Sequence, residues 1–123
     1  MATIRDIMST QVVSVAPTTT VAEAATAMAE RRVGSALVMD PGLVGIFTER
    51  DIVRALSQDF DAPGHPVSDW MTKDPSTIDP DAPVEEALDR MLSAGFRHFP
   101  VVEGGEVVGI VSIRDLTKAT AEG

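Results

Sequence analysis

The sequence contains no cysteine, which excludes disulfide staples and thiolate metal sites and fits a reducing compartment. Histidine is nearly as scarce. His65 and His98 are the only two, so no cluster of metal ligands is expected and none is assigned. No apolar run approaches the ~20 residues that cross a bilayer, and the opening "MATIRDIMST" lacks the apolar stretch of a secretory leader. A soluble, cytoplasmic chain with no membrane partner is therefore expected. Basic residues are few: ten Lys and Arg stand against nineteen Asp and Glu, for a net charge of −9. They are scattered, which speaks against a nucleic-acid partner, whose phosphates require clustered cations. The same acidity repels a nucleotide at long range, so any such ligand needs a local concentration of donors.

What the chain does contain is one phrase written twice. "GIFTERD" (Gly45 to Asp51) returns as "GIVSIRD" (Gly109 to Asp115). A gapless register pairs Asp6 with Asp69, Met8 with Met71, Pro17 with Pro80, Met28 with Met91 and Val38 with Val101. One extra residue in "EGGE" restores the match through the repeated phrase. The copies span residues 1–58, with the N-terminal segment, and 59–123, and the Pro- and Gly-containing "SQDFDAPGHP" reads as a linker at about 57–66.

Within each copy, "VVSV" and "STI" are short strand-prone runs. Val21, Ala24, Ala25 and Met28, like Val84, Ala87, Leu88 and Met91, share one face of an amphipathic helix. Thr20 and Glu23 form a capping box at the start of the first such helix, and Gly95 ends the second. Two apolar runs joined by a tight turn then read as a hairpin, and a final helix begins at "TERDIVRAL" or "SIRDLTKA". The fold class is α/β (α+β): two pseudo-symmetric β-α-β-β-α repeats. Each is too small to bury a sheet face alone, so the two are expected to pack sheet to sheet.

The chemistry concentrates where the last strand of each copy meets the last helix. Thr48 and Ser112 stand at the N-cap, with Asp51 and Asp115 three residues on. A helix N-terminus attracts anions, a hydroxyl there adds a donor, and an ionised Asp accepts from the vicinal hydroxyls of a ribose. The same pattern is nearly a capping box, which requires no ligand. Arg50 and Arg114 recur at one place in both copies, as phosphate contacts or as solvated helix-face residues. Arg97 and His98 precede the strand "FPVV", where the first copy has only Gly34 and Ser35. They read either as a phosphate clamp or as a surface Arg beside a half-buried His. As ligands they make the two sites unequal, the second copy taking the more highly charged molecule.

The ordered set "IRDIM" and "VSDWM", "TVAEAATAM" and "PVEEALDRM", "RHFPVV", "VGIFTERD" and "VVGIVSIRD" resembles the cystathionine-β-synthase (CBS) domain, over about residues 3 to 120. The chain looks like a stand-alone tandem pair, a Bateman module. The resemblance implies a pair that dimerises into a disc of four repeats and binds AMP, ADP, ATP or S-adenosylmethionine in clefts between repeats. It implies that Asp51 and Asp115 hold ribose hydroxyls and that Thr48, Ser112, Arg97 and His98 face phosphate. Val13, and with it Ser76, is implied to line the adenine pocket. "GSALV" in the first copy lacks the basic pair, and Pro75 and Ser76 replace Val12 and Val13, which departs from two equal sites.

The function expected is a non-enzymatic sensor: a homodimer that binds an adenosine-containing regulatory ligand, needs no obligatory cofactor, and signals to a separate protein effector. The alternative is a ligand-independent dimerisation or protein-interaction module. An enzyme is disfavoured, because no nucleophile sits in a recognisable setting and no Gly-rich phosphate loop follows a strand.

Overall fold

A computed structural model describes residues 2–122. The elements in order are α1 (Ile4–Ile7), β1 (Ser14–Val15), α2 (Val21–Arg31), β2 (Ser35–Met39), β3 (Leu43–Thr48) and α3 (Glu49–Gln58). After single 3-10 turns at Ala62–Gly64 and Val67–Asp69 come β4 (Thr72–Lys73), α4 (Val84–Ala94), β5 (His98–Glu103), β6 (Glu106–Ser112) and α5 (Ile113–Glu122). The first copy follows the anticipated β-α-β-β-α order, and the second keeps α-β-β-α, with a single bridge at Ile78 where the strand "STI" was expected. The segments opening each copy add a helical turn and a strand-like pairing that the periodicity did not mark, because each is too short to show a period.

Packing cuts the chain differently from the repeat boundary at 58 and 59. One unit is Val12–Pro75; the other joins the chain up to Gln11 to the chain from Ser76 onward. The reason is an exchange of opening segments. Thr72 and Lys73 of the second copy pair antiparallel with Ile46 and Gly45 of the first. Ser9 of the first copy bridges Ile110 of the second through Ser9 N–H to Ile110 O (2.8 Å) and Ile110 N–H to Ser9 O (2.9 Å). Glycine permits both approaches. A Cβ at Gly109 would lie 2.7 Å from Ser9 O and 2.9 Å from Met8 Sδ, and one at Gly45 would strike Met71 Sδ.

In the 12–75 unit a four-stranded sheet runs β1-β2-β3-β4, with β1 parallel to β2 and the other pairs antiparallel. Val21, Ala24 and Met28 of α2 pack with Val13, Ala36, Val38, Phe47 and Val67. Ala62, inside the expected linker, is fully buried, so this stretch is partly core. Thr20 caps α2 as anticipated: its Oγ1 accepts from Glu23 N–H (3.1 Å), and Glu23 Oε1 accepts from Thr20 N–H (2.9 Å). At the other end Arg32 takes the left-handed conformation (φ 56°) that Gly95 occupies after α4 (φ 82°).

The second unit repeats this plan in reduced form. β5 and β6 pair antiparallel around Gly104 and Gly105, whose φ values of 60° and 82° are those of a type I′ turn. Ile78 makes one parallel bridge with Val101 in place of a strand. Pro100 is the cause: its counterpart Leu37 donates its N–H to Val13 O (2.8 Å), and proline has none to give. The core is Ile4, Ile78, Val84, Ala87, Met91, Phe99, Val101, Val111 and Leu116. Ile4 comes from α1, so this core is complete only with the opening segment in place.

Candidate functional site

The N-terminus of α3 is closed by a reciprocal box. Asp51 Oδ2 accepts from Thr48 N–H (2.9 Å) and Thr48 Oγ1–H (3.1 Å), and Asp51 N–H donates to Thr48 Oγ1 (3.3 Å). At α5, Asp115 Oδ2 accepts from Ser112 N–H (3.0 Å) and Ser112 Oγ–H (2.9 Å), and Asp115 N–H donates to Ser112 Oγ (3.2 Å). The capping reading of the repeated phrase is therefore realised in both copies. It leaves the second carboxylate oxygen to other partners: Asp115 Oδ1 has none among the described residues, and Asp51 Oδ1 accepts weakly from Arg54 (3.4 Å).

The boxes also reduce what each helix start offers an anion. Glu49 N–H donates to Gly34 O (3.1 Å) and Ile113 N–H to Arg97 O (2.9 Å). With the third amides bound in the boxes, the N–H groups of Arg50 and Arg114 are the ones in each first turn without a described partner. The two termini differ in charge. Glu49 and Asp51 both lie in the first turn of α3, whereas Asp115 is the one acid in that of α5. An anion is thus better tolerated at α5.

The hairpin brings the remaining basic residues to the same place. His98 pairs with Ser112 in the β5–β6 register, and the Arg97 carbonyl holds the first amide of α5. Arg97, His98, Ser112, Arg114 and Asp115, spread along the sequence, thus converge at one helix start. Arg97 and Arg114 are exposed and His98 is half-buried. No described ion pair or side-chain hydrogen bond engages Arg50, Arg97 or Arg114. In the 12–75 unit the corresponding register places Ser35 opposite Thr48, with Gly34 beside it and no added cation.

The two residues assigned to an adenine pocket diverge. Val13 is 8% exposed and packed into the core of its unit. Ser76 is exposed and lines an open cleft of about 360 Å³ with Asp89, Arg90, Ser93, Ala94 and Phe96. Sequence reasoning passed over Arg54 and Arg90. Arg90 donates to Thr77 O (3.2 Å) with its guanidinium 4.6 Å from the Phe99 ring centre. The i, i+3 spacing of "DIVR" was the available signal for Arg54.

The CBS domain family model matches residues 4–58 and 67–122. Over 120 residues the chain is 48% identical to an uncharacterized 17.7 kDa protein of Acidianus ambivalens, covering 94% of this chain and 71% of that one. It is 40% identical over 114 residues to the CBS domain-containing protein CBSCBSPB1 of Arabidopsis thaliana, covering 90% of this chain but only 21% of the longer protein. Among solved structures, a CBS-domain protein of Agrobacterium tumefaciens superposes with a TM-score of 0.89 at 32% identity, covering 97% of this chain and 99% of that one. The CBS domain pair of protein MJ0100, in complex with 5-methylthioadenosine and S-adenosyl-L-methionine, gives 0.90 at 26% identity, covering 99% and 98%. CBSX2 in complex with AMP gives 0.82 at 26% identity, also covering 99% and 98%. Two family matches in one chain, together with these likenesses, lead to one conclusion: the chain belongs to the CBS domain family, as a tandem pair.

Proposed function

We propose that this protein is a non-enzymatic regulatory module that binds an adenosine-containing ligand, AMP, ADP, ATP or S-adenosylmethionine, and passes its state to a separate protein partner. The observation that carries this reading is the convergence of Arg97, His98 and Ser112 on the start of α5, where Asp115 keeps one carboxylate oxygen open. That oxygen accepts a ribose hydroxyl. Ser112, the Arg114 amide and the basic pair face the phosphates, and Ser76 borders the base. At α3 the equivalent set is Thr48, Arg50 and Asp51, with Val13 near the base and fewer cations. The ligands in MJ0100 and CBSX2 support the adenosine class.

The module acts as a homodimer in this reading. Val53 and Leu56 on α3 and Phe60 just beyond it are 68, 49 and 87% exposed, three large apolar side chains in one short stretch of the 12–75 unit. A second copy covers them. The same surface favours one alternative, a ligand-independent interaction module in which the capping boxes serve structure alone. Thermal unfolding against AMP, ADP, ATP and S-adenosylmethionine separates the two. Ligand at about a hundred times its Kd adds roughly 2.7 kcal/mol, and the sensor reading expects this gain to shrink in Asp115→Ala. No gain with any of the four supports the interaction module.

A further inference from the structure

The two repeats carry the same aspartate, but its free oxygen is treated differently. In the 12–75 unit Arg54 Nη2 lies 3.4 Å from Asp51 Oδ1 and donates to the Trp70 carbonyl at 2.6 Å. Its guanidinium carbon stands 5.3 Å from the centre of the Trp70 ring. Trp70 is itself anchored. It stacks on His65 with ring centres 6.3 Å apart and planes 10° from parallel, and its Nε1–H points at His65 Nδ1 (3.4 Å). Asp59 Oδ2 lies 3.6 Å from the far side of the imidazole, at Nε2. Arg54 is therefore fixed by a carbonyl and an aromatic face, with its remaining reach directed at Asp51, which is 7% exposed. The register that pairs Asp51 with Asp115 places Lys118 at the Arg54 position, and the register of the opening segments, which pairs Asp6 with Asp69, places Ile7 at the Trp70 position. Lys118 is exposed with no described partner, and Asp115 is half-buried with Oδ1 open.

We infer that Arg54 is a specificity-determining residue that occupies the ribose-accepting oxygen of Asp51, so that an adenosine ligand binds the Asp115 site in preference to the Asp51 site. The inference rests on the reading of both aspartates as ribose acceptors. A vicinal diol needs acceptor positions on the carboxylate. At Asp115 one oxygen is wholly available; at Asp51 the cap takes Oδ2, and the diol must displace a guanidinium from Oδ1. Because Arg54 is held mainly by Trp70, this displacement also unseats the residue that ties α3 to the Val67–Asp69 turn.

The test is an AMP titration by calorimetry at fixed ionic strength, with each site isolated by removing the other aspartate. In the Asp115→Ala background, Arg54→Lys keeps the charge but copies the residue of the other repeat. AMP binding is expected to tighten about fivefold, the size of one partly exposed ion pair. In the Asp51→Ala background, Lys118→Arg is the reciprocal change and is expected to leave binding equal or weaker, never tighter. Lost structure does not produce a gain in affinity, so tightening with an unchanged melting temperature separates the role from a merely structural one. Unchanged or weaker binding in Arg54→Lys overturns the inference while the ribose reading stands. AMP binding that is absent in the parent protein, or indifferent to both aspartates, overturns the ribose reading and the inference with it.

Discussion

Replacing Gly109 with alanine tests the exchange of opening segments more directly than any change in the core. The added Cβ would meet Ser9 O at 2.7 Å and Met8 Sδ at 2.9 Å. The sulfur belongs to a flexible side chain and can move; the carbonyl belongs to backbone and cannot move without opening the bridge between Ser9 and Ile110. That bridge is two hydrogen bonds, each contributing about 1 kcal/mol net, and overpacking a close contact costs about 1–3 kcal/mol. A loss of about 2–3 kcal/mol is expected, which lowers Tm by about 10 °C for a chain of this size. Urea unfolding followed by far-ultraviolet circular dichroism, which reports both units, gives the change in midpoint. Gly42→Ala is the control, since nothing lies within 4 Å of its Cβ. Met8→Ala should recover only part of the Gly109→Ala loss, because the carbonyl clash persists. A change of less than about 0.5 kcal/mol in Gly109→Ala, the range of an ordinary surface substitution, refutes the close packing on which the exchange rests.

Three further outcomes follow from the same structure. Arg32→Gly relieves a left-handed φ of 56° at the end of α2 and should stabilise by about 0.5–1 kcal/mol, measured as a shift in urea midpoint, while Gly95→Ala at the equivalent place should destabilise. The bonds from Thr20 N–H and then its hydroxyl hold the Glu23 carboxyl below its ordinary value near 4.5. Its contribution is thus present above that value and fades as pH falls through the lowered one; Glu23→Gln should flatten the acid limb of a stability-versus-pH curve below about pH 4.5. Leu56→Glu on the exposed face of α3 should leave the melting temperature of the monomer within about a degree or two and shift sedimentation from dimer to monomer.

The longer helices α2 to α5, the hairpins and both caps were legible in the sequence because each is written in residues three or four apart, or in an alternation of two. The Thr48–Asp51 and Ser112–Asp115 boxes are a case where one pattern carried two meanings, and the structure realises the capping one in both while leaving Oδ1 open at Asp115 and facing Arg54 at Asp51. The pairing of Ser9 with Ile110 left no local trace, since its partners stand near opposite ends of the chain. Only the glycine in each "VGI" hinted that something approaches closely there. The weak first strand of the second copy was legible in principle: Pro100 stands inside "FPVV", where a central strand needs an N–H. Val13 shows the opposite limit. An apolar residue beside a strand reads alike whether it faces a ligand, a core or both, and Val13 packs with the core while keeping 8% exposure.

The exchanged opening segments give the molecule an order of assembly. During synthesis, residues 12–75 emerge as an uninterrupted stretch holding all four strands of their sheet, and that unit can close as soon as Lys73 is available. The other unit has its first helical turn, Ile4–Ile7, made early and its remaining core made last. Ile4 and Met8 must wait, unpaired, until β6 exists to receive them. A segment made before residues 12–75 is thus threaded into a fold completed after them, and the long loop closure falls on the unit that carries Arg97, His98 and Asp115.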